Sequence, residues 1–262
     1  MYKVIEFFRS IFSPQTFVAS GSKCFSSELL MFANFIKERK NFSLVRFGDG
    51  EMMIIDGQAT NLSKKKEHVY SPESERDEAQ RNLLYYALTY KSDNYYVGIS
   101  CPACVGQKNF EMMHDRSNQH ESNLTFSTVF VNSNYRAFRD QVVPLFNSRN
   151  IIFVGREESD ISGLPFGVDK NFTVGENAWI NDHQRLLSEI IDHIDKCSVE
   201  DAVFIFCAGV LSNILIYQLI RKYPNNTYID MGSVFDVDLG LGKTRKYLRK
   251  GKTLRHTCVW GN

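Results

Sequence analysis

The chain of 262 residues lacks an excess of charge of either sign: 31 Lys and Arg stand against 30 Asp and Glu, a formal net charge of +1. A protein that gathers nucleic acid through a global field needs such an excess. That class is excluded, and any basic surface must be local. Long apolar runs are missing as well. Stretches such as 202–210 fall well short of the ~18 uninterrupted apolar residues of a membrane-spanning helix. The N-terminal residues 1–9 set an acid and a base inside their only apolar stretch and offer no small-residue cleavage site, so no secretory signal is read there and a cytoplasmic location is expected. Cysteine is sparse and scattered, at 24, 101, 104, 197, 207 and 258. Disulfide scaffolds are short and cysteine-dense, so free thiols are expected. Cys101 and Cys104 have CxxC spacing, but no second CxxC or HxxxH pair completes the four ligands of a structural zinc site. They are read as two small residues at a strand end, with redox or metal use as the alternative. A Gly-x-Ser-x-Gly elbow is absent too, which disfavours a hydrolase of that kind.

What is present is a regular alternation. Residues 26–37 carry apolar side chains at 29, 30, 33 and 36, which is helical spacing. A short strand at 43–47 then stops at Gly48-Asp49-Gly50. Pro72 followed by four acids resembles a helix start, because Pro suits the first turn and acids suit the positive end of the macrodipole. Strands are predicted at 95–100, 151–155, 202–209 and 228–232, and helices at 135–146, 182–194 and 210–222. The polar stretches 64–66 and 107–123 are predicted as loops or lids. Strands alternating with helices require crossover connections, hence an α/β fold with a mostly parallel sheet flanked by helices. No repeat or linker divides the chain. One domain over 1–262 is expected, with 1–25 an N-terminal extension and 241–262 a basic C-terminal segment.

Open parallel sheets bind ligands beyond the carboxyl ends of their strands. The small-residue turn 207–213 leads straight into a helix and can turn backbone N–H groups toward an anion, or be a tight turn and nothing more. It lacks the three glycines of a dinucleotide fingerprint and the Gly-Lys-Ser/Thr of a P-loop, which disfavours NAD and ATP hydrolysis. At the earlier strand end, Asp49 and Glu51 are flanked by Gly48 and Gly50, whose conformational freedom lets two carboxylates converge on one hard cation. Arg46 adds a planar fork suited to phosphate oxygens. An Asx-type surface turn is the plainer alternative.

The hexapeptide Arg46-Phe47-Gly48-Asp49-Gly50-Glu51 resembles the signature of the bacterial GT-D-type glycosyltransferases, whose Asp-X-Glu motif serves nucleotide-sugar and divalent-metal binding. Asn177-Ala178-Trp179 resembles that family's Asn-Ala-aromatic element. Residues 205–209 and 228–232 resemble its late strand, small-residue loop and Asp-X-Gly strand end, so the likeness spans about residues 26–240. The sequence departs from the family at Gly155-Arg156-Glu157-Glu158, where an acidic-glycine pair is expected, and at Cys207-Ala208-Gly209, where a glycine-rich turn is expected.

The resemblance implies a single Rossmann-like domain. It also implies a metal-dependent transfer of a hexose, glucose or galactose favoured, from a UDP-sugar to a glycan acceptor in bacterial surface polysaccharide synthesis, such as O-antigen or capsule. Mn²⁺ or Mg²⁺ would sit on Glu51, with Asp49 as second ligand or ribose partner. Arg46, Gly48, Gly50, Asn177, Ala208, Gly209 and Asp230 would face the nucleotide. Glu158 is the candidate base among Glu157, Glu158 and Asp160, while His114, His120 and His183 are rivals read as exposed. Seven bases and no acid between 243 and 256 suit an anionic lipid surface at ~1 kcal/mol per residue, and so an acceptor carried on a polyprenyl diphosphate at the inner membrane face. A solvated tail or an RNA-binding arm is the alternative for that stretch. A non-catalytic nucleotide- or glycan-binding module is the alternative for the whole chain.

Overall fold

The structure is a computed structural model that describes residues 23–63, 68–245 and 257–261. Seven strands form one sheet: β1 (Ser43–Phe47), β4 (Tyr95–Ile99), β5 (Leu124–Phe126), β6 (Ile151–Arg156), β7 (Lys170–Val174), β8 (Val203–Phe206) and β9 (Thr227–Asp230). Their order is β5-β4-β1-β9-β8-β6-β7, and every neighbouring pair is parallel. The central strands are buried along their whole length, which is why they read as continuous apolar runs. The edge strand β7 alternates over its last three residues, with Thr173 exposed between the buried Phe172 and Val174.

Helices flank the sheet. In α1 (Phe25–Lys37) the residues Phe25, Leu29, Phe32, Ala33 and Ile36 fall on one buried stripe. Phe32 meets Phe42 and Tyr96 with ring centroids 5.3 and 5.4 Å apart. The short α2 (Asp49–Ile55) follows β1 directly, and a two-stranded antiparallel ribbon, β2 (Thr60–Asn61) with β3 (Val69–Tyr70), comes after it. α3 (Glu75–Thr89) starts three residues beyond Pro72, where the Ser74 hydroxyl accepts the Asp77 N–H as an N-cap. Past β4 lie α4 (Pro102–Val105) and α5 (Gln107–Ser117), so much of the predicted 107–123 loop is helix. Its polar surface hid a narrow buried row of Phe110, Met113 and Ser117. Irregular helical turns cover 135–148. Then come α6 (Ala178–Asn181), α7 (His183–Cys197) and α8 (Val210–Lys222). Among the described residues no helix is long and apolar enough to cross a membrane.

One polar residue in α8 shapes the sheet. β1 pairs with β9 only at Ser43 and Leu44. Beyond that point the Asn213 side chain takes the place of a strand: its Oδ1 accepts the Arg46 N–H at 3.0 Å and its Nδ2 donates to the Arg46 carbonyl at 3.0 Å. The backbone groups at this buried strand end are thereby satisfied. The two central strands part at their carboxyl ends, at the line where the two halves of the sheet meet.

Candidate functional site

That parting opens a crevice of about 430 Å³ lined by residues from seven segments, among them Glu51, His68, Arg156, Trp179, Gly209 and Asp236. It lies where open α/β sheets hold ligands. Beneath it Arg46 is clamped: its Nε donates to Asp230 Oδ2 at 3.1 Å and its Nη1 to the Ser127 carbonyl at 3.0 Å. The other Asp230 oxygen accepts the Gly232 N–H at 2.9 Å. Gly232 has φ +53°, and a Cβ there would stand 2.2 Å from Arg46 Nη2, so glycine is what lets the guanidinium lie flat against this turn.

Burial raises the Asp230 carboxyl above its ordinary value, against the pull of Arg46. Burial likewise raises Glu51, countered by backbone N–H groups, while the Asp230 charge pushes the same way. Glu51 reaches back so that its Oε2 accepts the Gly48 N–H at 2.9 Å, which is half of a capping box for α2. Gly48 is extended (φ −104°) and Gly50 lies inside α2, so neither uses the left-handed freedom expected of them. They supply room instead. A Cβ at Gly48 would come 3.2 Å from the Glu51 carboxylate, and one at Gly50 would come 3.5 Å from His68. Asp49 is exposed on the outer side of the turn, and its Oδ1 accepts the Gly50 N–H at 3.1 Å.

Across the crevice, Cys207, Ala208 and Gly209 lead from β8 into α8. Gly209 adopts φ +58°, a conformation that favours glycine, and the first turn of α8 opens on the cavity with backbone N–H groups that no helical carbonyl reaches. Ser212 Oγ accepts the Ala208 N–H at 3.1 Å and fixes the turn. The Cys207 thiol is pushed up by burial and by the charges of Asp236 and Asp230.

Asn177 has a different place from a cavity wall. It sits in the left-handed conformation and its Oδ1 accepts the Val69 N–H at 2.9 Å, while Trp179 Nε1 donates to the Val69 carbonyl at 3.2 Å. The Asn-Ala-Trp element thus pins the β2–β3 ribbon, and it is Ala178 and Trp179 that line the crevice. Glu157 and Glu158 are exposed beyond Arg156, and Asp160 caps a turn at Ser162. His183 is buried against Gln218 at 2.8 Å, contrary to the exposed reading; His114 pairs with Glu121 at 3.0 Å. His68, Arg156 and Asp236 were missed by sequence reasoning. Asp236 accepts from the Thr244 hydroxyl and carries one visible signal, six residues past the Asp-X-Gly strand end.

No protein-family model matches this sequence, and no curated protein sequence matches it. Solved structures do. The chain aligns with a selenomethionine-substituted structure of domain of unknown function 1792 at TM-score 0.56 and 17% identity, over 79% of this chain and 77% of that one. A second structure, described as showing that the highly conserved domain of unknown function 1792 has a distinct glycosyltransferase fold, aligns at TM-score 0.53 and 19% identity over the same shares. The protein therefore has an α/β fold with a parallel seven-stranded sheet, and the likeness places it with the fold of domain of unknown function 1792.

Proposed function

We propose that the chain is a metal-dependent glycosyltransferase that moves a hexose, glucose or galactose, from a UDP-sugar to a glycan acceptor, as in the assembly of bacterial surface polysaccharide on a polyprenyl carrier. The observation that carries this reading is one crevice with a desolvated carboxylate on one wall, a helix N-terminus on another and a clamped guanidinium beneath it, against Gly232 of the lining. A metal-bound diphosphate can use all three. Arg46 and the first turn of α8 complement its charge, and a cation on Glu51 would neutralise what remains.

The residues fit such an ion. Hard cations of this type are held by one or two carboxylates plus substrate phosphate oxygens. Glu51 and Asp236 both line the cavity, and the burial that disfavours the Glu51 anion is what a bound cation would offset. When bound, Mn²⁺ or Mg²⁺ supplies Lewis-acid stabilisation of the departing diphosphate. Asp49, exposed beside the crevice and outside its lining, would have to turn inward to meet the ribose or complete the ligand set. Trp179 and Ala178 form an apolar wall. Glu158, on the solvent side of Arg156, is the proposed base for the acceptor hydroxyl. The bases from Lys243 onward would draw the protein to a lipid-borne acceptor; Lys246, Arg249 and Lys250 lie outside the described residues.

The test is a donor screen with UDP-glucose, UDP-galactose and their N-acetyl forms in the presence of Mn²⁺, reading release of UDP. Release with one donor, its loss in EDTA and its return with Mn²⁺ or Mg²⁺ is the expected pattern. Full activity in chelator overturns the cation assignment. Binding of UDP without turnover on any donor or acceptor returns the protein to the non-catalytic alternative.

A further inference from the structure

Outside the crevice, three cysteines from distant parts of the chain meet at the carboxyl ends of β4 and β5. Cys101 follows β4, Cys104 lies in α4, and Cys258 comes from the segment 257–261. Cys101 Sγ stands 3.5 Å from Cys104 Sγ, which stands 3.9 Å from Cys258 Sγ, and all three sulfurs lie within 4.8 Å of one another. Among the described residues no other group of three His, Cys, Asp or Glu ligand atoms is gathered so closely.

We infer that Cys101, Cys104 and Cys258 form a thiolate site for a zinc ion, which ties the segment 257–261 to the sheet. Three observations favour this over three thiols packed as small apolar side chains. The spacing is that of ligands to one ion: sulfurs bonded tetrahedrally to Zn²⁺ at ~2.3 Å lie about 3.8 Å apart. The exposure is graded, with Cys101 and Cys258 buried and Cys104 open to solvent, which leaves an entry path and a fourth position for water. The surroundings also place the ligands independently of any ion. Trp260 packs edge-on against Phe110 and Phe126 at 5.2 and 5.0 Å, its indole N–H donates to Glu121, and the Thr257 hydroxyl donates to Ser133 Oγ at 3.1 Å. Thr128 Oγ1 at 3.1 Å and Asn132 Nδ2 at 3.7 Å from Cys258 Sγ provide the outer contacts that orient a ligand.

The site is chemically separate from the crevice. Thiolates select soft or borderline ions, whereas the carboxylates at Glu51 and Asp236 suit hard ones. Its structural reach is nonetheless toward the crevice, because Thr128 directly follows Ser127, whose carbonyl holds Arg46. An ion here would stiffen the loop that fixes the guanidinium.

The experiment uses the full chain, reduced and stripped of metal, titrated with Zn²⁺ against a chromophoric chelator, with Co²⁺ in parallel for its thiolate-to-metal charge-transfer absorption. One equivalent of Zn²⁺, a cobalt spectrum of thiolate type and no displacement by excess Mg²⁺ or Mn²⁺ are expected. Cys104→Ser and Cys258→Ser should each weaken binding by more than ~100-fold, the upper end of what loss of an outer-shell partner alone costs. Cys197→Ser, at an exposed cysteine on α7, should leave it unchanged. Cys104 is exposed, so its variant keeps the test valid even if the Cys258 variant fails to fold. Failure of the reduced chain to take up Zn²⁺, uptake of Cu⁺ without Zn²⁺, equal affinity in the urea-unfolded chain, or unaltered affinity in Cys104→Ser overturns the assignment. None of these readouts involves nucleotide or turnover, so its failure is distinct from failure of the transferase reading.

Discussion

Replacing Asp230 by Ala tests whether the Arg46 clamp is the keystone of the crevice. Arg46 and Asp230 stand 3.1 Å apart with side chains only 13% and 8% exposed. Loss of the carboxylate leaves the guanidinium with the Ser127 carbonyl as its remaining acceptor in this clamp, and leaves the Gly232 N–H without its acceptor. Breaking a buried ion pair from one side costs about 3–5 kcal/mol, because the surviving charge keeps its desolvation penalty. At roughly 2–4 °C per kcal/mol for a chain of this size, the melting temperature should fall by about 6–20 °C. The same desolvation raises the Asp230 carboxyl, so the pair is a poor stabiliser compared with an apolar filling of equal volume. Arg46→Leu combined with Asp230→Leu should therefore recover much of the lost stability, yet bind no UDP. Thermal and urea unfolding followed by circular dichroism give the double-mutant cycle, and calorimetry gives the UDP affinity. A cost below ~1 kcal/mol for Asp230→Ala, the range of exposed pairs, or singles that add to within about 0.5 kcal/mol, would refute the clamp. So would UDP binding retained in the double variant.

Gly232→Ala should act on the same group without touching its charge: the left-handed φ costs roughly 1–2 kcal/mol, and the new methyl displaces Arg46, so UDP affinity measured by calorimetry falls although Arg46 and Asp230 remain. Glu51→Gln should abolish Mn²⁺-dependent UDP release while making the ligand-free protein more stable at neutral pH. The sign follows from burial, which raises the folded Glu51 pKa above the unfolded value near 4.5: the wild type has its full stability below the unfolded value and loses it as pH rises through the folded one. Melting curves between pH 4.5 and 8 should thus show the variant's advantage growing with pH, and a flat or inverted difference counts against a desolvated Glu51. Reversing Lys246, Arg249 and Lys250 to Glu should weaken binding to anionic vesicles about a hundredfold, from ~1 kcal/mol per base, and slow transfer to a lipid-linked acceptor but not to a soluble one; high salt should mimic it, and equal loss on both acceptors defeats the membrane reading.

How far the fold could be read in advance depended on where each element sits in the sheet. β8 and α8 announce themselves at 202–222 because a strand covered on both faces and a helix buried almost all round have no reason to carry charge. β5, three residues long, and β7, an alternating edge, have too little apolar pattern to register, and α5 presents only one thin buried row. Glu51, Ala208 and Gly209 were legible at the site because the strand-end rule needs only local signals. Arg156, His68 and Asp236 were not, since what brings them together is the order of strands, and sequence spacing does not encode that order. Cys258 is the extreme case, meeting Cys104 across 154 residues, so a count of ligand pairs along the chain could not find the third thiol.

One signal in the sequence was available and would have located the crevice. Ser212 and Asn213 interrupt an apolar helix at its start, and both are fully buried. A polar side chain in such a place costs free energy unless it is hydrogen-bonded, so its presence marks a backbone that needs a partner which regular pairing does not supply. Both needs are in the structure. Ser212 satisfies the amide of the turn before α8, and Asn213 satisfies the end of β1 where β9 has moved away. The two walls of the crevice are set by these adjacent residues. Asn213→Leu should therefore leave the Arg46 amide and carbonyl buried and unpaired, at about 1–3 kcal/mol for each group, and loosen Arg46 from the position that a diphosphate requires. Hydrogen exchange at the Arg46 amide offers a direct measurement. Protection unchanged from the wild type would show that β1 closes onto β9 without Asn213, and the account of how the crevice opens would fall with it.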